Sequence, residues 1–142
     1  MGRDFLIKGF AVVLLLAGLL LLAKAGRAQG DTSMPVEATD ATFDQEVDKS
    51  DIPVIVEFYS PRCGHCTKME SVVNSLAGEL AGQAKVVKVN VLGNTVSPSR
   101  YGVHGVPAFY LVKNGEVVTS AVGSMSEEEL RRRLGLDVSA EP

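Results

Sequence analysis

The two cysteines of the chain, Cys63 and Cys66, are separated only by Gly64 and His65. Cysteines at this spacing serve three kinds of chemistry: a structural disulfide, half of a metal site, or a redox pair that opens and closes. A structural disulfide is a weak hypothesis, because a bridge across so short a loop restrains the unfolded chain very little.

The metal hypothesis needs two further ligands. The chain has two histidines, His65 and His104, which together with the cysteines would make a Cys₂His₂ set of the kind that binds zinc. However, His65 lies within the short bridge between the cysteines, where it has little freedom to turn inward, and the chain has no second CxxC motif. We therefore predict no metal at this site.

The position of the pair favours the redox hypothesis. Residues 53–59, PVIVEFY, are typical of a buried strand, and residues 66–81 carry apolar side chains at helical spacing. A helix that begins near Cys63 places its unpaired N–H groups and positive dipole end beside that sulfur, which favours the nucleophilic thiolate. Arg62 and His65 add positive charge. Cys66, one helical turn further on, is expected to be more buried and to resolve a mixed disulfide with Cys63.

The rest of the chain predicts alternating short elements. Sequence patterns around the cysteine motif indicate helices at 42–50, 66–81, 97–101 and 126–134 and strands at 53–59, 85–91, 106–112 and 116–122. Capping boxes begin the first and last helices at Thr42 and Ser126, and Ser97 caps the third. Residues 113–116, KNGE, indicate a two-residue hairpin turn. This order predicts an α/β fold with a central mixed β-sheet flanked by helices on both faces.

The motifs VEFYSPRCGHC, VVKVNV and YGVHGVPAFYLVKNGEVV resemble the thioredoxin superfamily in identity, order and spacing. The similarity covers residues 36–136 and implies a thioredoxin fold and protein thiol–disulfide oxidoreductase activity through a Cys63–Cys66 disulfide. The tetrapeptide at 63–66, CGHC, is similar to that of protein disulfide isomerase domains. No dissociable cofactor is implied.

The resemblance also implies roles for residues outside the cysteine motif. Pro107 would be the family's cis-proline, and Val106 would present its backbone to an extended substrate. Glu57 and Lys88 match the acidic residue and lysine that manage the proton of the resolving cysteine. Independently of the resemblance, each is a lone charge in an apolar strand, where a charge is costly unless it is paired or functional. The chain departs from the family at Arg62, where tryptophan is frequent, which bears on partner identity.

The N-terminus predicts export. Residues 1–28 combine a basic start, an uncharged apolar run at 9–23 and small residues suited to cleavage, so they indicate a signal peptide or, through residues 5–25, a membrane anchor. Residues 29–35 indicate a linker, and 137–142 form a C-terminal tail. We expect a bacterial periplasm or cell envelope location, with cleavage favoured over retention.

Charge limits the partners. The first 28 residues hold four of the 14 basic and one of the 17 acidic residues, so from Gln29 onward 10 basic residues face 16 acidic ones, a net charge of −6. This balance argues against nucleic-acid binding. The expected partners are exported proteins with cysteines and a redox partner that resets the pair. The alternative hypothesis is a non-catalytic thioredoxin-like module that holds a protein partner or a metal.

Overall fold

The computed structural model describes residues 31–136. The predicted signal peptide or anchor at 1–28 and the tail at 137–142 lie outside these residues. Across residues 31–136, no helix combines the length and apolar character that crossing a membrane requires.

Strands and helices alternate through the described part of the chain, as the sequence predicts. In chain order they are β1 (Val36–Ala38), the π-helical turn α1 (Asp44–Asp48), β2 (Val54–Tyr59), α2 (Gly64–Glu79), β3 (Lys85–Asn90), α3 (Val96–Arg100), β4 (Ala108–Lys113), β5 (Glu116–Val122) and α4 (Glu127–Leu134).

The sheet has the strand order β1-β3-β2-β4-β5. Strands β1, β3 and β2 are mutually parallel, and β4 pairs antiparallel with both β2 and β5. The two parallel connections carry helices, whereas β4 and β5 form the predicted hairpin, in which Asn114 and Gly115 take positive φ values of 53° and 76°. The prediction of a thioredoxin-like α/β fold with a central mixed sheet is confirmed.

Both faces of the sheet are covered. Successive side chains of each strand point to opposite faces, so each face forms its own buried core. On one face, buried strand residues pack with α1 and with a cluster of rings, namely Phe43, Phe58, Tyr101 and Tyr110. On the other face, Ile55, Phe109 and Leu111 pack against α2 and α4. Glu57, the catalytic candidate in β2, lies on this second face, beneath α2.

Two predicted helix starts are wrong. Thr42 does not form a capping box, because the N-cap position falls on Phe43, without a side-chain cap, and the Thr42 hydroxyl instead accepts the N–H of Thr39 at 3.0 Å. Ser97 does not cap α3 but lies inside it, after Thr95. The carboxylate of Asp40 supplies the acceptors instead, taking the backbone N–H groups of residues 95, 96 and 97 at 2.8–3.0 Å.

The predicted start and end of α4 are confirmed, whereas the start of β4 is shifted. The Ser126 hydroxyl caps α4 by accepting the N–H of Glu129 at 3.2 Å, and Gly135 ends the helix in the left-handed conformation. Strand β4 begins at Ala108, two residues later than predicted, because Pro107 has no N–H for the sheet ladder.

Candidate active site

Cys63 lies immediately before α2, at the N-cap position of the helix. Cys63 is the N-cap residue, with extended backbone angles φ −99° and ψ 111°, and its sulfur accepts the N–H of Cys66 at 3.4 Å. Strand β2 ends at Tyr59, so the short segment 60–62 turns the chain from the sheet directly into this helix. The first turn of α2 contains no acidic residue. The positive end of the helix therefore acts on the sulfur without competition from an acidic side chain of its own first turn.

The two thiols have opposite electrostatic environments. Hydrogen bonding from the Cys66 side chain and then from its backbone N–H lowers the pKa of Cys63 below the ordinary thiol value. Burial, and secondarily the neighbouring Cys63, raises the pKa of Cys66 to about 11. Cys66 is 3% exposed, whereas Cys63 is half-buried at the surface. The outer sulfur is thus suited to attack and the inner sulfur needs a base before it can react. Both cysteines are free thiols in this structure.

The predicted substrate-binding residues lie beside the outer sulfur. The peptide bond between Val106 and Pro107 is cis. The Cys63 thiol donates to the carbonyl oxygen of Val106 at 3.7 Å, although the two residues are 43 positions apart. The backbone of Val106 therefore faces the reactive sulfur.

Glu57 lies in β2 and is 1% exposed, so its side chain does not point to solvent. Its Oε2 atom has no hydrogen-bond partner among the described residues. Burial raises the pKa of Glu57 to about 7, against the smaller opposing effect of Lys88. A carboxyl group that gains and loses a proton near neutral pH is suited to act as the base for Cys66.

Lys88 is the cross-strand neighbour of Glu57 in the parallel pair of β2 and β3. Within residues 31–136 no ion pair joins the two side chains, and the Lys88 ammonium lies over the ring of Tyr59, 4.4 Å from its centroid. Lys88 thus influences Glu57 through space and is positioned by an aromatic ring.

The predicted modulating residues surround Cys63. Arg62, Gly64 and His65 are exposed. The backbone N–H of His65 contributes to the lowered pKa of Cys63. A side chain at Gly64 would meet no atom within 4 Å. Among residues 31–136, no group of three or more His, Cys, Asp or Glu side chains is arranged to hold a metal.

One residue of this neighbourhood, Glu37, was not predicted from the sequence. It aligns with Lys88 across the β1–β3 pair and accepts the hydroxyl of Tyr59 at 2.6 Å. A signal for it was present: Glu37 is a charge inside a short apolar strand, VEA, which is the same pattern that singled out Glu57.

These features define a class of protein. A helix that begins at one cysteine, a second cysteine buried one turn on, a carboxyl group beneath them and a cis-proline beside them describe a thiol–disulfide oxidoreductase. The thioredoxin family model matches residues 34–135, and the chain belongs to this family.

Individual relatives agree with this assignment. The chain is 42% identical over 91 residues to thioredoxin of Haemophilus influenzae, a match that covers 64% of this chain and 85% of that one. It is 40% identical over 102 residues to thioredoxin 1 of Synechococcus elongatus, covering 72% and 95%. A solved structure, a mutant thioredoxin from Halobacterium salinarum, superposes with a TM-score of 0.68 at 31% identity, over 82% of this chain and all of that one.

Proposed function

We propose that the protein is an exported thiol–disulfide oxidoreductase that exchanges disulfides with cysteine-containing exported proteins. The observation that carries the proposal is the pairing of two unlike thiols on one helical turn. Cys63 lies at the surface with a lowered pKa, and Cys66 is buried behind it with a raised one. A redox partner then returns the pair to its starting state.

The exchange proceeds in two steps when the substrate disulfide is reduced. The Cys63 thiolate attacks one substrate sulfur, the substrate S–S bond breaks, and the second substrate sulfur leaves as a thiolate that takes a proton from water. Glu57 then accepts the proton of Cys66, whose thiolate attacks Cys63 and releases the first substrate sulfur. The protein gains a Cys63–Cys66 disulfide and gives two electrons to the substrate. Substrate oxidation is the reverse sequence.

Substrates bind through their backbone. An extended peptide pairs with the backbone of Val106 at the position before Pro107, as a strand adds to a sheet edge. The contact between the Cys63 sulfur and the Val106 carbonyl supports this mode of binding, because a peptide paired there would lie within reach of the nucleophile. Specificity then depends on the exposed residues near the motif, among them Arg62 and His65.

We further propose that the couple works towards oxidation or isomerisation, as protein disulfide isomerase domains do. His65 is exposed between the cysteines, and its imidazole in the protonated form stabilises the reduced thiolate. Stabilising the reduced form makes the disulfide more oxidising. Replacing His65 with proline should therefore lower the reduction potential of the pair.

Export rests on the first 28 residues. Their basic start, apolar run and small residues suit a cleaved signal peptide, or an anchor through residues 5–25. Either outcome delivers the domain to the bacterial periplasm or cell envelope, where disulfides persist and substrate cysteines are available.

Trapping of mixed disulfides tests activity and location together. Cys66→Ala cannot resolve a mixed disulfide, so the full-length variant expressed in a bacterium should accumulate covalent complexes with exported proteins in the envelope fraction. These complexes should disappear on treatment with a reductant. The matched control is the double variant Cys63→Ala/Cys66→Ala, which should form none.

Two results would count against the proposal. If Cys66→Ala traps no more protein than the double variant, the chain acts as a non-catalytic thioredoxin-like module that holds a partner. If complexes form only with cytoplasmic proteins, the redox activity stands and the export proposal fails.

A further inference from the structure

A row of charged side chains crosses the sheet beneath α2. Glu57 in β2 aligns with Lys88 in β3, and Lys88 aligns with Glu37 in β1. Aligned residues of neighbouring strands point to the same face, so all three side chains lie on the side that carries the cysteines. Glu57 and Glu37 are two strand spacings apart, about 10 Å.

Tyr59 contacts two members of this row, Lys88 and Glu37. Its hydroxyl donates to Glu37 at 2.6 Å, and its ring lies beneath the Lys88 ammonium at 4.4 Å. Glu37 therefore fixes the orientation of the ring, and the ring in turn positions the ammonium. Burial, together with the bond to Glu37, raises the pKa of Tyr59, so the phenol stays protonated and keeps its role as donor.

Exposure increases along the row. Glu57 is buried at 1% exposure, Lys88 and Tyr59 are half-buried, and Glu37 on the edge strand is exposed. The row thus leads from the buried carboxyl group beside the cysteines to water at one edge of the sheet. A proton that Glu57 takes from Cys66 has to reach water, and this row of side chains provides polar groups along one route through apolar surroundings.

We propose that Glu37 is a positioning residue for proton exchange at Glu57, acting by its charge and by the hold it keeps, through Tyr59, on Lys88. This inference rests on the proposed function, in which Glu57 accepts the proton of Cys66. Glu37 draws the Lys88 ammonium towards the edge of the sheet and away from ion-pair distance of Glu57. The buried carboxyl group therefore keeps enough proton affinity to act as a base near neutral pH.

The charged and titratable groups that face Glu57 come from three elements. Lys88 of β3 lowers its pKa, whereas Glu37 of β1 and Glu70 of α2 raise it, and the thiols of Cys63 and Cys66 lie at the start of α2. The adjacent residue of β4 is Phe109, which has no charge. Removing the charge of Glu37 should thus lower the pKa of Glu57 directly, and breaking its bond to Tyr59 should in addition release Lys88 towards Glu57. At about 10 Å, a partly screened charge changes a pKa by about half a unit.

The test is the pH profile of mixed-disulfide resolution in single-turnover reactions of the full-length chain with a disulfide-containing peptide. Glu37→Gln keeps an oxygen that can accept the Tyr59 hydroxyl but removes the charge. It should move the midpoint that depends on Glu57 down by about half a pH unit. The matched control, Glu116→Gln, removes the same charge at the opposite edge of the sheet and should leave the midpoint unchanged.

Tyr59→Phe tests the route of the effect. It removes the hydroxyl through which Glu37 fixes the ring beneath Lys88, so it should shift the midpoint in the same direction. Because Glu37→Gln still accepts this hydroxyl, the double variant should shift the midpoint further than Glu37→Gln alone. A role in stability only would lower the free energy of unfolding and leave the midpoint in place. The inference is overturned if Glu37→Gln causes no shift or if Glu116→Gln causes an equal one.

Glu57→Gln separates this inference from the proposed function. Loss of the midpoint in that variant, with no shift in Glu37→Gln, overturns the role of Glu37 alone. An intact midpoint in Glu57→Gln overturns both, because the titrating group is then not Glu57.

Discussion

Helices α2 and α4 begin with the same type of N-cap hydrogen bond but have different roles. In α2 the sulfur of Cys63 accepts the N–H of Cys66 at 3.4 Å, and in α4 the hydroxyl of Ser126 accepts the N–H of Glu129 at 3.2 Å. Both acceptors are N-cap side chains that bond the backbone three residues ahead. The type of hydrogen bond that caps α4 thus helps to lower the pKa of the Cys63 thiol at the start of α2.

The two helices differ in the charges of the first turn. Three glutamates, residues 127–129, follow Ser126 and neutralise the positive end of α4, whereas the first turn of α2 has no acidic residue. Helix α4 is therefore stabilised at its own terminus, and α2 leaves its positive end available to the Cys63 thiolate. Helix α2 thus lacks stabilising acidic residues at the position where the reaction needs the Cys63 thiolate.

A second difference lies beneath the helices, where α2 covers the buried carboxyl group of Glu57. Its pKa is about 7 in the fold and 4.5 ordinarily, so the folded protein binds the extra proton between these pH values. The free energy of unfolding should therefore fall as the pH rises from 4.5 to 7. Glu57→Gln, which resembles the protonated acid, should stabilise the protein by about 2–3 kcal/mol at pH 8 and little at pH 4.

Chemical denaturation at both pH values measures this effect. The exposed Glu116→Gln is the control and should change the stability little at either pH. Equal stability of Glu57→Gln and the native protein at high pH would mean that the carboxylate is not confined in an apolar site.

Removing each cap compares the two helix starts directly. Ser126→Ala should lower the free energy of unfolding by about 1 kcal/mol, because it leaves the N–H of Glu129 without its acceptor. Cys63→Ala should cost less, since a neutral sulfur at 3.4 Å is a weak acceptor. Denaturation of the reduced proteins, at a pH low enough to keep Cys63 a neutral thiol, measures both. A larger loss from Cys63→Ala would show that the sulfur serves the helix rather than the chemistry.

The smallest expected effect comes from making the start of α2 resemble that of α4. Gly64 is the first residue of α2, and a side chain there meets no atom within 4 Å. Gly64→Glu should raise the pKa of Cys63 by about half a unit, and so slow its alkylation near neutral pH. Gly64→Gln controls for the added side chain and should leave that pKa unchanged. Equal pKa values in the two variants would contradict the electrostatic explanation.

Local patterns predicted much of this molecule. The β-branched run of β2, the apolar spacing of α2 and the Asn114–Gly115 turn each depend on near neighbours in the chain, and all were found as predicted. The placement of Cys63 at a helix start followed from the break at residues 60–62. The cis bond before Pro107 was expected from the family resemblance, not from the residues themselves.

Contacts between distant residues were beyond local patterns. Asp40 caps α3 from 57 positions away, so the sequence near Ser97 indicated a helix but the wrong cap. The bond from Tyr59 to Glu37 spans 22 positions and depends on the register of β1 against β3, which no periodicity specifies. The fold, the reactive pair and the charges of Glu57 and Lys88 were therefore predictable, whereas the contact between Glu37 and Tyr59 emerged only from the sheet topology.

The ionisation of Cys63 is the most direct test of this account. Alkylation rates of the reduced, folded protein should be measured across pH, with each modified cysteine identified by peptide mapping, and compared with the denatured chain. We expect Cys63 to react with a pKa below that of the denatured thiol, and Cys66 to stay protected to higher pH. A Cys63 pKa equal to or above the denatured value would contradict the claim that the open start of α2 stabilises its thiolate.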